Sequence, residues 1–360
     1  MLLAGFVAIG VVVYQLTAPA SPDGGGGFGA WLDRLKKRVH NEWVERRVEK
    51  NAETPVGKEV RTLALDVDRG SISIIGEPRE TVAASLAVVV FGGDEATTRT
   101  LVDQIAVGLV EDGATLRVNL TLPKREDVQR RPQVQITVKV PSRLAVEVRS
   151  GGGELDVTGV AAVQAPKAVG RVRLANIAGA ITGELGPGEV DVDTAGSLTI
   201  TTRRSDVRVR NITNALDLEA RGGDIRIRGV GGAATLDGQG IDAELEDVGG
   251  PVKITGTGGQ VRVRGSRGAI EADTRRTELF LMPSAAAPIT ASTENDSIDL
   301  TLPPGGVFLD AIASNGGEIR VPEGLLTVER HDEDAKVAGA VRGGGPKITL
   351  RASRGDIVVR

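Results

Sequence analysis

Apolar and polar residues alternate along most of the chain beyond residue 59, and from residue 171 the alternation returns about every 18 residues. Successive segments read EVDVD at residue 189, DVRVR at 206, DIRIR at 224, DAELE at 242 and QVRVR at 260. The second position is Val172, Val190, Val207, Ile225, Ala243 and Val261, and the fourth is Leu174, Val192, Val209, Ile227, Leu245 and Val263. Strict alternation is the strand period, so these residues share one inward face. A later pair repeats as Leu216 and Leu218, Ala234 and Leu236, Val252 and Ile254. Each period therefore predicts two short strands, with Gly179, Ser197, Asn214, Gly232, Gly250 and Gly268 at the corner between them. A fixed period near this length is too short for paired helices. It predicts an all-β fold: a single-stranded β-solenoid, parallel β-helix-like, whose coils pair in parallel at roughly 4.8 Å per coil.

In such a stack the outward letters also form rows. The third position reads Asp191, Arg208, Arg226, Glu244 and Arg262, and the fifth Asp193, Arg210, Arg228, Glu246 and Arg264. Opposite charges mostly follow one another, each pair contributing about 0.2–1 kcal/mol. The exception is Arg208, Arg210, Arg226 and Arg228, a candidate basic surface patch, weighed against an ordinary solvated sheet face. The solenoid is expected over residues 150–360, with residues 323–346 breaking the rhythm as a loop and the last strands following it. Residues 59–149 are β-rich without the period. They carry the strand-like runs VRTLALDV, SISII, TVAASLAVVVF, ATLRVNLTL and QVQITVKV and one helical stretch, DEATTRTLVDQI. This region is expected to cap the first solenoid edge, since a bare edge invites aggregation.

Composition supports a narrow interior. Aromatics are 2 % of the chain, glycines number 48, and the apolar share is carried by Val, Ile, Leu and Ala. A net charge of -4, with no aromatics interleaved among arginines, gives no reason to expect nucleic acid. The chain has no cysteine, which excludes disulfides and thiolate metal sites.

The first residues differ from the rest. MLLAGFVAIGVVVYQL carries no charge and predicts an N-terminal hydrophobic helix, a membrane anchor or signal peptide over residues 1–20, with Ala18-Pro19-Ala20 an acceptable cleavage site. Residues 21–58 hold a glycine-rich linker and a basic amphipathic helix, expected at 31–50. Trp31, Leu32, Leu35, Val39 and Trp43 form its apolar stripe, amid seven Lys/Arg and four Asp/Glu. Export places the solenoid outside the cytoplasmic membrane, while the basic helix argues for the opposite orientation.

Candidate chemistry is sparse. His40 and His331 are the two histidines, one in the expected helix and one in the expected loop, so a His-based triad or a His-rich zinc site is not available. His331-Asp332-Glu333-Asp334 reads as a solvated loop rather than a cation site, and GGGELD at 151–156 lacks the calcium-repeat pattern. Arg354-Gly355-Asp356 spells a cell-attachment tripeptide, but a polar glycine turn is expected between two strands there anyway. The sequons at Asn119, Asn211 and Asn295 point to no function. No catalytic, cofactor-binding or metal-ligating residue is assigned.

Three passages carry a resemblance: VPSRLAVEVRSGGGELDVTGV at 140–160, STENDSIDLTLPPGGVFLDAIASNGGEIRV at 292–321, and GDIVV at 355–359. They resemble a family of bacterial proteins known as "putative adhesins", built on a β-solenoid domain of unknown function, over most of residues 59 to 360. The resemblance implies an envelope-facing solenoid and supplies no catalytic residues. The expected function is that of a non-enzymatic cell-envelope protein, tethered through its N-terminal segment, that adheres to, binds or supports a protein or envelope polymer. The alternatives are a scaffold polymerising end to end on the cytoplasmic face and, more remotely, a polysaccharide-active solenoid enzyme.

Overall fold

The computed structural model describes residues 44–124 and 130–360. The expected apolar span at 1–20, the glycine linker and residues 31–43 of the expected basic helix lie outside the described residues. Residues 44–50, the end of that expected helix, are strand: β1 (Val44–Pro55). It pairs with β4, so a hydrogen-bonded neighbour overrides a helical charge pattern. Among the described residues, no helix is long and apolar enough to cross a membrane.

After β1 come β2 (Thr62–Val67), β3 (Gly70–Glu77), β4 (Thr81–Gly92), helix α1 (Glu95–Asp103), β5 (Ala106–Asp112), β6 (Thr115–Thr121), β7 (Gln133–Pro141), β8 (Ala145–Ser150) and β9 (Gly153–Thr158). The described chain falls into two compact units. The smaller holds residues 44–47, 89–104 and the described residues between 123 and 132. In it, Asp94 caps α1 by accepting the Thr97 N–H at 2.7 Å, a bond that holds its carboxyl below the usual range. Leu101 is buried, and Arg130 lies over the Phe91 ring at 4.1 Å.

The larger unit, residues 48–88, 105–122 and 133–360, is a mostly parallel stack of strand pairs. Its sequence continues with β10 (Ala162–Arg203), β11 (Ser205–Ile212), β12 (Leu216–Val230), β13 (Ala234–Val248), β14 (Val252–Arg264) and β15 (Ile270–Met282). From β12 to β15 the partners recur 18 residues apart: Leu216 beside Ala234, Val252 and Ile270, and Ile225 beside Ala243, Val261 and Leu279. All of these are buried, as are Ile227, Leu245 and Val263 one row further on. Each fully buried Val, Leu or Ile contributes about 1.5–3 kcal/mol, which is how a core nearly free of rings holds.

Two columns of left-handed backbone turn the chain at its corners. One comprises Asn176, Thr194, Asn211, Gly229, Asp247 and Gly265, with φ between 54° and 75°. The other comprises Arg204, Gly222, Gly240, Gly258 and Arg276, with φ between 50° and 77°. Glycine, asparagine and aspartate tolerate this region best, which explains why these letters dominate the columns. Gly223, after the second column, also needs to lack a side chain, because a Cβ there would overlap the Ser205 carbonyl oxygen in the adjacent strand.

At the start of the stack, pairing departs from chain order. β2 and β3 lie between β6 and β7 on one side and β8 and β9 on the other, parallel to both. β8 and β9 then pair with β10. The parallel pairing thus runs through residue 150, and residues 62–77 belong to the same stack as the repeat. β6 carries β5 as an antiparallel neighbour, β4 pairs with β7, and β1 with β4. Sequence reasoning missed β5, whose AVGLVED alternates weakly and lies at an edge.

The end repeats the device with β16 (Ile289–Glu294), β17 (Ile298–Leu300), β18 (Val307–Ser314), β19 (Ile319–Arg320), β20 (Glu329–His331), β21 (Asp334–Val341), β22 (Lys347–Ser353) and β23 (Ile357–Val359). β22 and β23 lie between the β16–β17 layer and the β18–β19 layer, parallel to both. The expected loop at 323–346 contains β20 and β21 instead. β21 runs antiparallel on β18 and carries β20, so it closes an edge that the parallel layers leave open.

Candidate functional site

The four singled-out arginines stand together on one strand face. Arg208 is beside Arg226 and Arg210 beside Arg228, across the β11–β12 seam. Each alternates with a buried neighbour (Val209 and Ile227 among them), so the strand period alone aims the guanidiniums outward. The next layers follow in register: Arg226 beside Glu244 beside Arg262, and Arg228 beside Glu246 beside Arg264.

This register neutralises most of the patch. Arg208 is paired with Glu189, Arg210 with Asp191 at 3.1 Å and Asp193 at 3.8 Å, and Arg228 with Glu246. Arg264 bridges Glu244 at 3.0 Å and Glu246 at 3.8 Å. The Glu246 hydrogen bond and its charge raise the Arg228 pKa above the ordinary guanidinium value. Arg226 is the exception. It is exposed and, among the described residues, makes no ion pair. Shallow, open depressions flank it, one lined by Arg208, Arg210, Arg228 and Glu246, the other by Asp224, Asp242, Gln260 and Arg262. Arg262 in turn lies over the Phe280 ring at 4.7 Å.

A carboxylate row borders the arginines. The first position of successive segments holds Glu189, Asp206, Asp224 and Asp242, with Glu189 beside Asp206 and Asp224 beside Asp242. The Asp224 N–H donates to the Asp206 carboxylate at 3.4 Å. Reading only the third and fifth positions overlooked this row, although the leading Asp of DVRVR, DIRIR and DAELE announces it. The face is therefore a mixed-charge lattice of parallel acidic and alternating rows. It offers no enclosed, water-excluding cleft.

The other sequence candidates have local roles. Arg354 of the attachment tripeptide pairs with Glu294 at 2.9 Å, and Asp356 accepts the Glu318 N–H at 3.0 Å and faces Arg320 at 3.3 Å. Both side chains are thus engaged between layers. His331 ends β20 and Asp332 follows it, both exposed and 3.7 Å apart, while Asp334 accepts the Asn315 N–H at 3.3 Å. Among the described residues, no group of three or more His, Cys, Asp or Glu is placed to hold a metal ion.

Comparison with known proteins leaves the fold without a named family: no family model matches, and no curated protein matches. Solved structures similar to the chain include a putative cell adhesion protein from Clostridium sporogenes (11 % identity, TM-score 0.20), covering 87 % of this chain and 99 % of that one. Two putative adhesins are similar as well. The one from Bacteroides fragilis has 12 % identity and a TM-score of 0.24, over 87 % of this chain and 97 % of its own. The one from Parabacteroides merdae has 12 % identity and a TM-score of 0.26, over 87 % and 96 %. These are proteins of the kind that the three sequence passages resemble. Likeness at this level assigns no ligand or partner.

Proposed function

We propose that this chain is a non-enzymatic envelope protein: a β-solenoid of coils close to 18 residues, exported or anchored by its first twenty residues, that holds a protein or envelope polymer on its charged strand face. The observation that carries this reading is the lattice around Arg226. In-plane carboxylates neutralise Arg208, Arg210 and Arg228, and leave Arg226 exposed beside a row of aspartates. Such a face recognises a partner by many weak, salt-sensitive contacts rather than by one pocket.

The covered edges weigh against the end-to-end scaffold. β5 adds antiparallel to β6 and β20 to β21, and β1 carries a charged or polar residue at most positions. Charged edge strands oppose strand-to-strand growth.

Alkaline phosphatase fused after residue 360, expressed in a bacterial host, tests the placement. Active fusion enzyme is the expected result. Activity of a cytoplasm-only reporter at the same position would overturn the export reading. Cosedimentation of the full chain with isolated envelopes tests the face, with Arg226→Glu expected to weaken it several-fold and added salt to abolish it. Binding that neither change alters would place the contact elsewhere.

A further inference from the structure

Residues 347–360 occupy a slot whose walls are chemically matched to them. On one side are Glu294 and Asp299, on the other Asp310. Lys347 reaches Asp310 at 2.9 Å, Arg351 reaches Asp310 at 3.1 Å, Arg354 reaches Glu294 at 2.9 Å, and Arg360 reaches Asp299 at 2.7 Å. Every lysine and arginine of the segment is paired with a wall carboxylate. Two of those walls are poorly hydrated, with 16 % of the Asp310 side chain and 12 % of that of Asp299 exposed. One Asp299 oxygen is buried without a hydrogen-bond partner, so Arg360 carries its compensation.

The backbone and the core complete the fit. β22 is paired with β16 and β18, and β23 with β17 and β19, so main-chain ladders run along both flanks. Ile348, Leu350, Ala352, Ile357 and Val359 are buried inward. The segment joins the rest through Arg342-Gly343-Gly344-Gly345-Pro346, in which Gly343 and Gly344 have φ of 88° and 81°. Both walls precede the segment in the chain, so the slot can form before its occupant arrives.

We propose that the space between the β16–β17 and β18–β19 layers is a strand-binding site for a cationic, alternately apolar segment. Residues 347–360 fill it in cis, and the same segment of a second copy of the chain can fill it in trans. Recognition is strand addition on two edges at once, with Glu294, Asp299 and Asp310 selecting basic side chains.

The test uses the full chain with a protease recognition sequence inserted at Gly343–Gly345. After cleavage, the severed segment is expected to stay bound through gel filtration. It then exchanges with an excess of fluorescent peptide KITLRASRGDIVVR, up to one peptide per chain. The peptide carrying Arg351→Glu and Arg360→Glu competes roughly tenfold more weakly or worse. Severed residues that leave only when the whole fold melts, or a folded chain that refuses the peptide, overturn the proposal. Hydrogen exchange on the uncut protein keeps the test open if the cleaved chain aggregates. Amides of 348–359 are expected to exchange through an opening at least tenfold more frequent than the one that exposes 225–263. Equal protection of the two segments overturns it.

Discussion

Between β11 and β15 each layer hydrogen-bonds the layers just before and after it in the chain, whereas the layer at 347–359 bonds Ser314 across 38 residues and Glu294 across 60. The two regions share inward aliphatic rows and outward charges, so the local physics is the same. What differs is loop closure. The middle needs only a short link between layers, while the end must bring distant segments together before either ladder forms. The middle can therefore propagate as a repeat, and the end acts as a clasp that closes only when distant layers meet.

The largest effect is expected in the middle. Ile227 is 1 % exposed between Val209 and Leu245, and Ile227→Asp places an unpaired carboxylate there. The cost is several kcal/mol, about 3 or more, enough to unfold or aggregate the stack. Thermal melts of Ile227→Asp and wild type matching within a degree would contradict the register.

A smaller effect is expected at the clasp, and it depends on pH. Hydrogen bonds from Lys347 and Arg351 hold the Asp310 carboxyl below the usual carboxylate range. Its folded value lies below its unfolded one of about 3.9, so its contribution is complete above that pH and is lost as pH falls through the folded value. Asp310→Asn should cost about 1.5–3 kcal/mol at neutral pH by denaturant unfolding, and less in acid. A constant difference from pH 7 to pH 2 would contradict this.

The corner columns permit a cleaner comparison. Gly240 has φ of 62° and open space where a Cβ would point, so Gly240→Ala isolates the left-handed backbone cost, about 1–2 kcal/mol. Gly240→Asn should cost less, as Asn211 adopts the same region natively. The order Ala better than Asn would refute the assignment. Least of all should follow from the charged face. Arg210→Ala is expected within about 1 kcal/mol and Arg226→Ser within about 0.5 kcal/mol of wild type, since exposed pairs contribute little.

The same contrast governs what the amino-acid order reveals. In the middle, a column of letters is a column in space, so the inward rows and the side-by-side arginines could be read directly. Their neutralisation by Glu189 and Asp191 needs only the same register extended one layer. The breaks between paired strands were legible at Asn214, Gly232, Gly250 and Gly268, where the strands do part, whereas the left-handed positions three residues earlier, at Asn211, Gly229, Asp247 and Gly265, were not singled out. At the ends, nothing in KITLRAS states that it pairs with Ile289–Glu294 rather than with the segment before it. Layer-skipping is a property of three-dimensional closure, and a period search cannot detect it. The strands at 329–331 and 334–341 were read as loop because ERH and DAKVAGAV owe their pairing to the edge of β18.

The order of layers at the clasp can be measured directly, because the chain has no cysteine of its own. Thr290 and Thr349 are outward partners in adjacent layers, about 4.8 Å apart, within disulfide reach. Ser292 and Ile312 flank Arg351 from opposite sides, two layers or about 9.6 Å apart, which is beyond it. The double variant Thr290→Cys/Thr349→Cys is expected to oxidise to an intramolecular disulfide in the native state, and Ser292→Cys/Ile312→Cys is expected to remain reduced. Cross-linking of Ser292→Cys/Ile312→Cys with a silent Thr290→Cys/Thr349→Cys would mean that the layers follow chain order, and the clasp would not exist.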